Sequence, residues 1–367
     1  AMEKSGAHRR LALAMVNLFG GDSFRNLVFG FMVASAALSM WVSNTATTLM
    51  LVPVAYAVLD SIKNSDDSVK LAVPLFLGIA YSASIGGLGT PIGSPPNVIF
   101  LKVYAEATGT MPSFSQWMIW ALPVVLIMIP IAGLWLTRNL SRTEGVQIPE
   151  VGQWRKEEFR VIFIFGLTAL AWITLREPFG GWTSWLGVPS ANYAAVALTS
   201  VILMFIISDG KGGRLLDWDT ASGIHWGVLL LFAGGIAIAK AFAVTGISEA
   251  IGESLSGVTR LSLIVVIAII AIGVTFLTEI TSNTATTALL MPILAAAALG
   301  AGFEPALLML PAALSASCAF MLPVATGPNA IVFGTGRITV KQMVREGFAL
   351  NIIGILVISS VVYYWLG

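Results

Sequence analysis

Two identical hexapeptides, Ser43-Asn44-Thr45-Ala46-Thr47-Thr48 and Ser282-Asn283-Thr284-Ala285-Thr286-Thr287, carry the polar chemistry of an otherwise apolar chain. Hydroxyl and amide oxygens can replace the water around a small hard cation such as Na⁺, and the same groups donate hydrogen bonds to an anion. One motif can therefore serve both charges. Ser39 and Thr278 stand four residues ahead of Ser43 and Ser282, one helical turn away on the same face, and add a further hydroxyl. Neither hexapeptide contains Lys or Arg, so an anion held here would rely on hydroxyls, helix dipoles and a co-bound cation.

The repetition extends into the flanks. Pro53 and Pro292 each lie five residues after the hexapeptide. Ser82-Ala83-Ser84 is answered by Ser315-Ala316-Ser317, and Thr90-Pro91-Ile92-Gly93-Ser94-Pro95-Pro96-Asn97 by Leu322-Pro323-Val324-Ala325-Thr326-Gly327-Pro328-Asn329. The chain is thus an internal duplication, each half holding a Ser-Asn-Thr turn and, downstream, a Pro-Asn break.

The elements that must position these groups are set by composition. Of 367 residues 57% are hydrophobic and 11% charged, and the mean hydropathy is +0.87. A water-soluble core does not need so much apolar surface, so the chain is an all-α polytopic membrane protein. A net charge of +1 implies no nucleic-acid partner. Cys318 is alone, which excludes an intrachain disulfide and a cysteine metal cluster and reads as packing. No pairing of nucleophile and base and no close pair of intramembrane carboxylates is present, so the chain is not read as an enzyme.

A spanning helix needs about 20 apolar residues. Residues 1–23 read as an amphipathic interfacial helix. The first repeat occupies 24–136, with a hairpin at 24–59, a broken helix at 71–103 and a span at 114–136. The hairpin reads as re-entrant, two short helices meeting at 43–48, because the arm 49–59 is short and Pro53 weakens it. A linker at 137–160 leads to spans at 161–175, 191–208 and 224–243 and an amphipathic stretch at 244–259, a scaffold region of 161–259. The second repeat, 260–367, has its hairpin at 260–299, a broken helix at 305–335 and a span at 348–366. If neither hairpin crosses, sixteen of the twenty Lys and Arg fall on one side, which makes that side cytoplasmic. The five intervening spans then place the hairpins on opposite sides, as inverted-topology repeats do. Three spans precede the second hairpin without counterparts before the first, so symmetry predicts a further N-terminal helical block of about 80–100 residues.

Other residues have competing readings. Ser84, Ser315 and Ser317 read equally as close-packing hydroxyls. Glu279 stands where the first repeat has Met40, and reads either as part of a cation field or gate or as a carboxylate in outward water. His225 reads as interfacial, as do Trp117, Trp120 and Trp135 near the ends of their span and Trp182 and Trp185 in their loop. Gly234-Gly235 reads as helix packing.

With its two Ser-Asn-Thr tips and its Gly-Thr-Pro-Ile-Gly-Ser-Pro-Pro-Asn and Ala-Thr-Gly-Pro-Asn breaks, the chain resembles the divalent anion/Na⁺ symporters, the family of bacterial dicarboxylate transporters, along its whole length. The resemblance implies a homodimeric elevator carrier in the inner (plasma) membrane, surrounded by lipid, that couples Na⁺ to uptake of a di- or tricarboxylate such as succinate. It implies one Na⁺ site formed by Ser39, Ser43, Asn44, Gly89 and Gly93, and a second formed by Thr278, Ser282, Asn283, Ala325 and Thr326. It places substrate against Asn44, Thr45, Asn283, Thr284 and Thr326, with Ser43, Ser282, Pro96 and Pro328 beside them. The alternative class is an anion-efflux carrier or channel subunit of the same architecture, for sulfate or another oxyanion, without Na⁺ coupling.

Overall fold

The computed structural model describes residues 1–19, 23–62, 65–140, 153–177, 179–223 and 262–367, with scattered positions between 227 and 250. The span at 224–243, including His225, the stretch at 244–259 and most of the 137–160 linker lie largely outside the described residues. Among the described residues the protein is helical, without a strand, and a single isolated bridge joins Ser208 to Arg214. The chain falls into two compact units.

The first unit comprises residues 1–14, 113–116 and 150–225. It holds α1 (Met2–Ser5), the start of α2 (Ala7–Phe19), α8 (Lys156–Ile173), α9 (Gly181–Trp185), α10 (Tyr193–Ile206) and α11 (Trp218–Ser222). Its polar end is tied by charge. Arg155 and Arg10 each pair with the buried Glu158 at 2.7 Å, and Lys4 reaches Asp217 at 2.5 Å. Lys211 lies 2.7 Å from Glu157 and holds that carboxyl below its ordinary value. None of the fourteen residues of α10 is buried within the chain, although the helix is almost wholly apolar. Such a surface is compatible with lipid and not with water.

The second unit comprises residues 15–112, 117–149 and 226–367, and in it the duplication becomes visible. The first series is α3 (Phe24–Ser39), α4 (Asn44–Ser61), α5 (Ser65–Gly86), α6 (Pro95–Thr108) and α7 (Phe114–Leu136), α7 beginning with three residues of the first unit. The second is α12 (Leu263–Thr278), α13 (Asn283–Gly300), α14 (Ala306–Ala316), α15 (Gly327–Gly334) and α16 (Val340–Leu366). Each series is a helix pair, a helix broken in the middle, and one long helix. Among the described residues four helices are long and apolar enough to cross a membrane: residues 66–86, α7, α13 and α16.

Two sequence expectations are corrected here. The hexapeptides are not the turns; Ser43 and Ser282 are N-caps, and Asn44–Thr48 and Asn283–Thr287 form the opening of helices. The turns are residues 40–43 and 279–282. The second arms are consequently longer than 49–59 suggested. Both α4 and α13 have 18 residues, about 27 Å, and run through Pro53 and Pro292. A proline removes one helical hydrogen bond without ending a helix whose other backbone groups remain paired.

Within lipid, apolar surface alone does not draw helices together, so close backbone approach must do it. A Cβ added to Gly86 would meet the Ala36 carbonyl oxygen at 2.3 Å, and Ser35 Oγ donates to the Ile79 carbonyl at 2.8 Å, which locks α3 on α5. In the second series a Cβ on Gly347 would fall 2.1 Å from the Phe320 carbonyl oxygen, where α16 presses on the break. Arg138 donates twice to Glu346, at 2.7 and 3.0 Å, linking the residues after α7 to the start of α16. We expect Gly347→Ala to destabilise the protein by roughly 1–3 kcal/mol, as overpacking against fixed backbone does. Gly273→Ala, at a position with nothing within 4 Å, is the control and should melt like wild type. Thermal unfolding in detergent distinguishes the two, and equal melting would refute the close approach.

Candidate functional site

The site begins with the two caps. Ser43 accepts from the Ala46 N–H at 3.2 Å, while Ser282 caps α13 without a side-chain bond. The first N–H groups of α4 and α13 have no partner within their own helices, as at any helix start. Both cap residues are exposed, as is Thr45; Asn44, Asn283 and Thr284 are half-buried. Beneath them the hydroxyls predicted to join the tips do so. Ser39, fully buried, lies 2.5 Å from the Asn44 amide. Thr278, also buried, donates to Asn283 Oδ1 at 2.7 Å and to the Ala316 carbonyl at 3.0 Å. Thr48 and Thr287 donate back to the carbonyls of Asn44 and Asn283 at 2.9 and 2.7 Å.

The tips sit against their own breaks. The Asn44 amide faces the carbonyls of Gly93 and Ala83, which can only accept, so its nitrogen belongs on that side and donates at 3.3 and 3.2 Å. A Cβ on Gly87 would lie 2.5 Å from that amide, and one on Gly93 would lie 2.5 Å from the Gly87 carbonyl oxygen. These glycines are required by space. Gly89 packs against Met40, and the Thr90 hydroxyl donates to the Met40 carbonyl.

The two halves also meet. A Cβ on Gly327 would come within 2.4 Å of Thr45 Oγ1, and Ser94 Oγ lies 3.2 Å from Ser317 Oγ. Tyr56 on α4 donates to the Thr335 carbonyl at the end of α15, at 2.8 Å. Of the predicted site residues, Ser39, Asn44, Gly89 and Gly93 gather at the first break and Thr278 and Asn283 at the second. Thr326 is the N-cap of α15 and accepts from the Asn329 N–H at 3.2 Å, with Ala325 buried before it. Pro96 and Pro328 are buried in the first turns of α6 and α15. Prolines there need no N–H partner, so the start of α6, with Pro95 and Pro96, offers few donors to an anion. The donor-rich helix starts are those of α4 and α13.

Several working residues were missed. Asn97 and Asn329, the last residues of the two Pro-Asn motifs, are wholly buried and play one role twice. Asn97 Nδ2 donates to the carbonyls of Gly87 and Thr90, both at 2.8 Å. Asn329 Nδ2 donates to those of Ala319 and Leu322, both at 3.0 Å. Each Oδ1 is buried with no protein partner, as are Ser84 Oγ and Ser315 Oγ. Orphaned oxygens beside a break fit a hard cation or a water. The recurrence of Pro-Asn in both halves was the available signal. Trp117 is corrected from interfacial anchor to buried support, since its Nε1 donates to the Leu88 carbonyl in the first break at 2.9 Å. Glu279 is corrected from a carboxylate in outward water, being 3% exposed. Cys318 is buried, as packing requires.

Long apolar helices interrupted by paired, oxygen-lined breaks are those of a multi-pass membrane protein, and the family that the chain matches is one of transporters, not enzymes. The chain matches over residues 1–367 the family described as the sodium:sulfate symporter transmembrane region, and it belongs to that family. It is similar to the sodium-dependent dicarboxylate transporter SdcS of Staphylococcus aureus strains USA300 and NCTC 8325 / PS 47. Each is 39% identical over 385 residues, covering 99% of this chain and 73% of the relative.

The paired asparagine clamp gives a direct test. Asn97→Ala and Asn329→Ala each leave one carbonyl, that of Gly87 or Ala319, without a donor, and leave Thr90 or Leu322 with a backbone N–H alone, at a cost of roughly 1–3 kcal/mol. We expect both to lower the melting temperature in detergent relative to Val98→Ala at an exposed neighbour; unchanged melting would show that the breaks hold without the clamp.

Proposed function

We propose that the protein couples inward Na⁺ movement to uptake of a dicarboxylate, with a C4-dicarboxylate such as succinate as substrate. The observation that carries this reading is the pair of oxygen-rich tips, each bonded to its own break, with no Lys or Arg in either motif. The sodium-dependent dicarboxylate transporter similar over nearly the whole chain favours a dicarboxylate over sulfate.

In this reading one Na⁺ is held by Ser39, Ser43, Asn44 and the Gly89–Gly93 turn, the other by Thr278, Ser282, Asn283 and the Ala325–Thr326 carbonyls. Substrate lies between, on Asn44, Thr45, Asn283, Thr284 and Thr326, with Ser43, Ser282, Pro96 and Pro328 as neighbours. The approach of Thr45 to Gly327 and of Ser94 to Ser317 supports one shared site. A doubly charged anion is costly to desolvate at mid-membrane without accompanying positive charge. The two Na⁺ ions supply it, aided by the first N–H groups of α4 and α13, which have no partner within their own helices. Binding of anion and cation then assist each other by the same factor. The helix pairs α3–α4 and α12–α13 are re-entrant and enter from opposite sides as inverted repeats. The hairpins, the broken helices and their partner spans move as an elevator against the 161–259 scaffold in a homodimer.

Uptake of labelled succinate into proteoliposomes should require an inward Na⁺ gradient and fail when choline replaces Na⁺. Asn44→Ala and Asn283→Ala should each raise the Na⁺ concentration for half-maximal uptake by about tenfold or more, since a lost ligand in a desolvated site is not replaced. Equal uptake in Na⁺ and choline would overturn the coupling. For topology, cysteines at Ser23 and Ser61 should be labelled from the cytoplasm, and cysteines at Ser262 and Gly302 from outside. Labelling of Ser23 and Ser61 from opposite sides would make the first pair a crossing one.

A further inference from the structure

The two breaks, built from matching motifs, satisfy their backbones by different means. In the first, Gly87, Leu88 and Gly89 donate to the carbonyls of Ala83, Ile85 and Gly86 at 3.1, 3.1 and 2.9 Å, so the turn is wound on itself. In the second, the corresponding bonds stop at Cys318, whose N–H reaches the Ser315 carbonyl at 2.9 Å. The next groups turn to a side chain. Glu279 Oε1 accepts from the N–H groups of Phe320 and Met321 at 2.8 and 2.9 Å, and Oε2 accepts from that of Leu322 at 3.0 Å. A fourth donor, Asn351 Nδ2 on α16, reaches Oε1 at 2.8 Å. Among the described residues Glu279 makes no ion pair; four neutral donors surround it instead. Met40 occupies the matching place in the first repeat, and there only its backbone carbonyl and an apolar side chain serve the break.

A run of three N–H groups taken by a carboxylate cannot be taken by the carbonyls of the same segment. Those carbonyls are left to face other partners. Asn329 takes Ala319 and Leu322; the rest of the strap is free of its own turn bonds until the Ala325 N–H meets the Leu322 carbonyl at 3.2 Å. Glu279 adjoins Thr278, whose hydroxyl bonds both Asn283 and the Ala316 carbonyl, so tip and strap share one hydrogen-bonded cluster. We propose that Glu279 is a positioning residue that holds the 319–322 strap unwound beside the second cation site, and ties that site to α16 through Asn351. This rests on the reading of the second tip and break as a Na⁺ site. It makes the two sites unequal: the first stands on a self-bonded turn, the second on a strap whose shape depends on a distant carboxylate.

The test uses the purified protein with two readouts, hydrogen exchange of the 317–326 backbone and Na⁺-dependent uptake. Glu279→Gln replaces one accepting oxygen by a donor that confronts backbone N–H groups. Exchange at 317–326 should rise while 87–94 stays protected. The Na⁺ concentration for half-maximal uptake should rise about tenfold or more, and the preference for Na⁺ over Li⁺ should fall. The KM for succinate at saturating Na⁺ should change far less. Glu279→Asp, with the charge kept on a shorter arm, should fall between wild type and Glu279→Gln. Should Glu279→Gln fail to fold, Glu279→Asp and Asn351→Leu carry the same two readouts. Unchanged exchange at 317–326, or faster exchange with wild-type Na⁺ dependence and Na⁺/Li⁺ preference, would overturn the proposal. Failure of the underlying reading has a different signature, in that wild type itself would show no Na⁺ dependence.

Discussion

Everything in the second unit answers to one constraint: a peptide group in hydrocarbon has no water to bond, so every helix interruption must bring its own partners. The two breaks, residues 87–94 and 317–326, expose backbone that elsewhere in these helices is paired along the axis. The first winds partly on itself, and side chains complete both. Asn97 and Asn329 take carbonyls, Trp117 takes that of Leu88 in the first break, and Glu279 takes N–H groups of the second. What remains beside the breaks after that repair is a small surplus of buried oxygens without a protein partner: Asn97 Oδ1, Asn329 Oδ1, Ser84 Oγ and Ser315 Oγ.

The same constraint explains why small residues recur beside the breaks. Repair requires the partner element to come within hydrogen-bond reach, and a side chain at Gly86, Gly87, Gly93, Gly327 or Gly347 would hold it off. Packing here is therefore not a filling of space alone; it sets the distance at which the polar groups meet. The apolar helix α10, none of whose residues is buried, carries no comparable requirement.

The duplication gives both halves the same oxygen chemistry but not the same mechanics. Asparagine clamps are common to both. The acceptor for the break's N–H groups is not, being local carbonyl in one half and Glu279 in the other. The chain thus has one break whose N–H groups are met within its own segment and one met across three elements, α14 to α15, the 279–282 turn and α16. Only the latter feels directly where α16 stands.

The sequence alone determined the membrane class, the duplication, the order of pairs and broken helices, and the uncharged hydroxyl-and-amide character of the tips. These depend on composition, on the length an apolar run needs to span lipid, and on motifs read within a few residues of one another. It grouped Ser39 with Asn44 and Thr278 with Asn283, but not for the reason of a shared helix face: α3 and α12 end at Ser39 and Thr278, and each hydroxyl meets its amide across the 40–43 or 279–282 turn. It misplaced the turns, reading the hexapeptides as tips where they open helices, since capping by Ser43 extends a helix that Pro53 seemed to shorten. The tertiary structure decided who repairs the breaks. Glu279 meets Phe320 and Asn351 across separations of 41 and 72 residues, and Trp117 meets Leu88 across 29. No periodicity or motif encodes those meetings; they follow only when packed helices bring a carboxylate or an indole to backbone that has lost its own partners.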